Sequence, residues 1–245
     1  MTYLLLICVA ETVKLSPEES AAMPAATDSW VAEMDGRGVR REGAPLGPAH
    51  EAAVVRVRDG DVLVSDGPFA ESKEQIAGYD VIECSNLDEA IEVAARHPVA
   101  RFGTVEVRAF GPAGWWRSPD RREPGGGPEY MMIHCVDADA ELSPADDCQL
   151  PGSPAARALQ AWDDETYARG VKLAGGRLEL PGTARTVRVR AGETLVTDGP
   201  FAETKEQVAG LNILTCPSLD EAVKIAAQHP TARIGTVEVR QFARD

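Results

Sequence analysis

The sequence predicts an α+β protein in which two copies of one small domain pair within a single chain, and three observations carry that expectation. The stretch from Leu63 to Phe110 superimposes without a gap on Leu195 to Phe242. Each copy runs through the same order of periodicities: strand, helix, two or three strands, helix, strand. A Gly- and Pro-rich stretch, Gly111 to Pro128, separates the copies and reads as a linker. The expected organisation is a first domain over 1–110, a linker over 111–128 and a second domain over 129–245.

The repeat aligns Asp66-Gly67-Pro68-Phe69-Ala70-Glu71 with Asp198-Gly199-Pro200-Phe201-Ala202-Glu203. It also aligns His97-Pro98 with His229-Pro230, and Gly103 to Arg108 with Gly235 to Arg240. Upstream, Trp30 matches Trp162, while Tyr3 and Cys8 match Tyr130 and Cys135 at a smaller offset, which places a short insertion of the second copy around Cys148 to Gly152. Tyr3 to Val9 is a continuous apolar run, as in a strand covered on both faces. Ser16-Pro17-Glu18-Glu19 supplies an N-cap, a first-turn proline and acids for a helix, and Ser143-Pro144 is expected to begin its counterpart. Pro24 is expected to break that first helix or to delay it toward Trp30.

Val54 to Arg58 and Val62 to Ser65 read as strands joined through Asp59-Gly60, since both turn residues tolerate positive φ. Ile76 to Cys84 is a further strand. The helix after it carries Leu87, Ala90, Ile91 and Ala94 on one stripe, with Asn86 capping toward Glu89; Ser218 and Glu221 repeat the cap. The closing strand alternates Val105 and Val107 against Glu106 and Arg108. This order is the split βαβ arrangement of ferredoxin-like domains. A sheet with helices on one face leaves the other bare, so two ferredoxin-like domains are expected to pair within one chain as a dimeric α/β barrel, with no oligomer required.

A formal net charge of −14, spread over both halves, offers neither a basic groove for nucleic acid nor a basic amphipathic stretch for a membrane. The apolar opening lacks a positively charged leading region and is short, so it reads as strand rather than signal peptide. Five cysteines without a Cys-x-x-Cys pair read as reduced thiols, and the expected location is cytoplasmic. The acidic run Asp137, Asp139, Glu141, Asp146 and Asp147 lacks the glycine and terminal glutamate of a calcium loop, so neither metal nor cofactor is expected.

The run Leu63 to Gln75 with its Asp-Gly-Pro-Phe core, the helix ending His97-Pro98 and the Gly103 to Arg108 strand resemble the YCII-related family, in its branch named after that motif. The resemblance covers both halves and implies a dimeric α/β barrel, a cytoplasmic location and regulation linked to sigma factors, with no defined activity. Some members carry a His and an Asp resembling a catalytic pair, the His on the first helix. Here the regions around Trp30 and Trp162 contain no histidine.

Two readings of the motif stand. It is a turn, with Asp capping, Pro fixing φ and Phe plugging the core, or it is a ligand loop. In the second reading Asp66, Phe69, Glu71 and Lys73, with Asp198, Phe201, Glu203 and Lys205, bind a small molecule, and both lysines face cavities. Asp66 and Asp198 are the candidates for a general base. His134 replaces Ile7 in a strand covered on both faces and marks a ligand preference for the second copy, or else a hydrogen-bonded core histidine. His97 and His229 are placed at helix ends, where a partly charged imidazole meets the dipole. Three functions follow: a small-molecule binder with a regulatory role, an enzyme using a motif aspartate as base, or a module docking a partner such as a sigma factor.

Overall fold

In a computed structural model, the described residues are 1–69, 73–117, 127–137, 143, 145–148 and 150–243. The first repeat gives β1 (Thr2–Ala10), α1 (Pro17–Gly36), β2 (Arg40–Pro45), β3 (Ala53–Arg58), β4 (Asp61–Asp66), β5 (Glu74–Glu83), α2 (Leu87–Arg96) and β6 (Thr104–Ala109). After a short β7 (Trp116–Arg117) the second gives β8 (Glu129–Asp137), α3 (Pro154–Ala168), β9 (Lys172–Arg177), β10 (Arg185–Arg190), β11 (Glu193–Asp198), β12 (Glu206–Thr215), α4 (Leu219–Gln228) and β13 (Thr236–Gln241).

The two copies pair in one chain by exchanging hairpins. One compact unit joins Met1–Leu46 and Ser72–Gly114 to Leu178–Glu203, so its antiparallel sheet runs β11-β10-β6-β1-β5-β2. The last four strands are a ferredoxin-like sheet, and the first two come from the second repeat. The other unit joins Gly47–Glu71, Trp115–Arg177 and Thr204–Asp245, and its sheet runs β4-β3-β13-β8-β12-β9-β7. Compact units and sequence repeats therefore differ by one hairpin each.

Local chemistry explains most of the elements. Ser16 caps α1 through the Glu19 amide while Glu19 caps back, and Asn86 accepts from the Glu89 amide. Asp59 and Gly60 turn at φ of 54° and 91°, the doubly positive geometry of a tight hairpin; Ala191 and Gly192 repeat it at 52° and 83°. In the first unit Tyr3, Leu5 and Ile7 of β1 pack beneath Trp30, Met34, Val93 and Ala94, with Val105, Val107 and Val187 beside them. Leu4, Leu6 and Cys8 on the opposite face are also buried, as the unbroken apolar run predicts. Tyr130, Met132, Trp162, Ile225, Val237, Val239 and Val55 form the same core in the second unit.

Three expectations change. Helix α1 runs unbroken through Pro24, because the carbonyl the proline leaves without a donor belongs to exposed Ser20, where water reaches it, while Trp30 and Met34 anchor the buried face. Helix α3 begins at Ser153-Pro154 rather than Ser143-Pro144: the Ser153 hydroxyl accepts from the Ala156 amide, and Ser143 instead pairs locally with Asp146. The start of the expected linker is ordered, since β7 adds to β9 and Trp116 packs edge-on against Tyr167 at 5.6 Å. Residues 118–126 of the linker, Glu71 of the motif, and Asp139 and Glu141 of the acidic run lie outside the described residues.

Candidate functional site

The motif loop follows the exchanged hairpin and therefore meets the last strand of the other repeat. In the pleat of β13, Val237 and Val239 enter the helix-side core, which directs Glu238 and Arg240 to the opposite face. There the Phe69 amide donates to Glu238 Oε2 at 2.8 Å, while Arg240 Nε donates to Glu238 Oε1 at 2.9 Å. The first unit repeats the arrangement: the Phe201 amide donates to Glu106 Oε2 at 2.9 Å, and Arg108 Nε to Glu106 Oε1 at 2.8 Å. Both glutamates and both arginines are fully buried. The repeated Asp-Gly-Pro-Phe and Val-Glu-Val-Arg motifs are thus two halves of one contact, each loop amide completing a buried ion pair on the partner repeat's strand.

Other motif side chains are placed outward. Asp66, Lys73, Asp198, Glu203 and Lys205 are exposed, with Phe69 and Phe201 half-buried. Asp198 pairs with Arg185 at 3.1 Å while 88% of its side chain stays exposed, and Lys205 reaches Asp137 at 3.3 Å with 84% exposed. The expectation that Lys73 and Lys205 face cavities is corrected: both side chains stand exposed to solvent, beyond the strands that end at Asp66 and Asp198. Lys73→Ala and Lys205→Ala should each shift unfolding by less than about 0.5 kcal/mol in urea titrations. A loss of several times that would restore them to a structural role.

A cavity of about 150 Å³ does lie in the second unit, bordered by Gly47, Glu51, Tyr130, Leu219, Arg240 and Gln241. It shares Arg240 with the motif contact.

His134 lies on the other side of the same sheet. It is paired with Val237 across β8 and β13, so both point to the helix side, and the sheet separates it from Glu238 and the motif loop. Asn212 Nδ2 donates to His134 Nε2 at 2.7 Å, which leaves the proton on Nδ1, a buried atom with no hydrogen-bond partner among the described residues. The ring stacks on His229 at 4.0 Å, and His229 meets the edge of Trp162 at 4.7 Å. Burial, with the Lys172 charge adding to it, pushes His134 down to about 3, and burial holds His229 well below the usual range.

The first unit carries a different set at the equivalent place. Asp80 on β5 accepts from Arg40 Nε at 2.7 Å and stands 3.9 Å from His97 Nε2, beyond hydrogen-bond range. Burial outweighs Arg40 and pushes the Asp80 carboxyl up to about 7, while His97 is pushed down to about 4 by burial and then by Arg40. His97 and His229 are therefore neutral rather than charged helix ends. Their Nδ1 atoms accept from the Val99 and Thr231 amides, capping the next turn instead. Asp80 and Asn212 were not singled out by sequence reasoning, although a signal exists. A Cβ on Gly43 would sit 2.0 Å from Asp80 Oδ1 and one on Gly175 1.9 Å from Asn212 Oδ1, so each glycine makes room for its partner.

An α+β chain of two ferredoxin-like repeats, each completed by the other's hairpin and locked by a motif loop on a buried Glu–Arg pair, defines the class. The YCII-related domain model matches residues 1–112 and 130–244, and the chain belongs to that family. An uncharacterised protein of Rhizobium meliloti (strain 1021) is 46% identical over 80 residues, 31% of this chain and 64% of that protein, so the match spans less than two thirds of the relative. A crystal structure of a candidate chlorite dismutase aligns over 99% of this chain and 94% of its own, at 7% identity and a TM-score of 0.43, values that carry no inference about fold or chemistry. No helix among the described residues is long and apolar enough to cross a membrane.

Proposed function

We propose that this protein binds a small polar molecule in the second unit, at the cavity beside Arg240. The supporting observation is the cavity itself: Glu51, Tyr130, Arg240 and Gln241 border one space, and Arg240 also belongs to the motif contact. Its 150 Å³ is below the roughly 300–1,000 Å³ typical of drug-sized ligands, which favours an occupant of few atoms. Because both Arg240 and the acidic Glu51 border it, a molecule carrying donors and acceptors suits it better than a simple anion. A general-base role for Asp66 or Asp198 draws no support from their exposed positions.

A thermal-shift screen against small carboxylic acids, amides and amino acids tests the proposal. A ligand at 100 times its Kd should stabilise by about 2.7 kcal/mol. Leu219→Trp, which fills the cavity from its rim, should abolish that gain while leaving the melting temperature of the free protein near its original value. Binding undiminished in Leu219→Trp would place the ligand elsewhere.

A further inference from the structure

Each exchanged hairpin ends its sheet on an edge strand whose six residues are all exposed, β4 in one unit and β11 in the other. Val62, Leu63 and Val64 are 52%, 51% and 52% exposed, and Leu195 and Val196 are similarly open. An edge of β-branched and apolar residues exposed on both faces is a template for another strand, and natural proteins ordinarily cover or blunt one. The pairing of Gly67 with Ala52, followed in steps of two along the β3–β4 register, gives Ser65, Leu63 and Asp61 their hydrogen bonds to β3. Val62, Val64 and Asp66 therefore turn their N–H and C=O groups outward. The same count from Gly199 and Ala184 turns Thr194, Val196 and Asp198 outward on β11.

Charge identifies the occupant. Each edge strand has an acid at both ends, Asp61 and Asp66 on β4, Glu193 and Asp198 on β11, around an apolar centre. A second copy of this chain fits poorly. Pairing β4 in register with another β4 or with β11, in either direction, sets acid against acid at both ends, and like charges directly opposite are destabilising. We infer that these edges bind an extended peptide by strand addition, and that the peptide carries β-forming residues between basic residues five positions apart. Arg185 already pairs with Asp198, so β4 is the stronger of the two edges. The surface is independent of the cavity beside Arg240.

The test uses the full chain and two fluorescein-labelled hexapeptides, Arg-Val-Thr-Val-Thr-Arg and Glu-Val-Thr-Val-Thr-Glu. Fluorescence anisotropy should show the basic peptide binding at least about tenfold more tightly, two favourable cross-strand pairs replacing two repulsive ones. Amide exchange should slow at Val62, Val64 and Asp66, and not further at Leu63 or Ser65. Val64→Pro together with Val196→Pro removes one outward donor from each edge without touching the bonds to β3 or β10, a position where an edge strand tolerates proline. That double variant should fold and lose the peptide. Equal binding of the two peptides, no binding of the basic one, or undiminished binding in the proline variant overturns the inference. So does a dimer of the chain alone that the prolines dissociate, which would assign the edge to a second copy.

Discussion

Replacing Glu238 by Gln should destabilise the protein by about 3–5 kcal/mol, the range for removing one charge of a buried pair. Gln keeps the size of the side chain and an oxygen for the Phe69 amide, so the loss reports the charge that Arg240 then faces alone in a fully buried site. The double change Glu238→Met, Arg240→Met removes both charges together and should cost much less than the single one, because replacing a whole buried pair by apolar groups is often neutral or better. Urea unfolding at pH 7 reads both. A single-variant loss below 1 kcal/mol would mean that the pair is not the keystone of the motif contact. Glu106→Gln should behave alike in the first unit, since Arg108 and the Phe201 amide meet it in the same way.

Mild acid should unfold the second unit before the first. His134 binds a proton at 6.5 when unfolded and only at about 3 when folded, so the unfolded chain takes up protons first and stability falls as pH drops below 6.5. At pH 5 the loss from His134 alone is on the order of 2 kcal/mol, and His229 adds to it in the same direction. In the first unit His97, with a folded value of about 4, also loses stability below 6.5. Asp80 opposes it. Its folded value of about 7 lies above 3.8, so its contribution is full below 3.8 and is lost as pH rises through 7, which means it grows on acidification over the same window. With Asn212 in that position the second unit has no such offset. His134→Ile should therefore flatten the stability profile between pH 6.5 and 4.5 while changing stability at pH 7.5 little, the freed Asn212 amide offsetting the removed unpartnered Nδ1. An unchanged acid profile in that variant would show that His134 is not the group responsible.

The repeat, the α2 and α4 caps and the Asp59-Gly60 turn were legible in the sequence because each is a local signal: a cap needs two residues three apart, a tight turn two residues with positive φ. The exchange of hairpins was not, since β3 and β4 read identically whether they return to their own sheet or cross to the other. For the same reason Glu106 and Arg108 looked like the polar face of an ordinary pleated strand. The amide that completes their buried contact belongs to Phe201, 95 positions away from Glu106. Of the candidate site residues, Phe69 and Phe201 contribute through backbone amides, which side-chain chemistry cannot reveal. The divergence between Ile7 and His134 was visible, but its meaning required Asn212, whose room is made by a glycine on another strand.

The hairpin exchange also sets the order in which the protein can mature. The β10–β11 hairpin that completes the first sheet ends at Asp198, and the β3–β4 hairpin docks on β13, the last strand of the second repeat, which is made much later. Arg58 donates to the Gly235 carbonyl across 177 positions, and Arg56 meets Glu206 across 150. Domains usually fold one by one as they leave the ribosome, and contacts between distant positions form slowly because the intervening loop must first be closed. Here neither sheet can close from its own repeat. The sheet of the N-terminal repeat must wait, with one edge open, until β10 and β11 of the second repeat have been made, and its own β3–β4 hairpin waits longer still for β13, so a chain truncated at the linker lacks the outer hairpin of its only sheet.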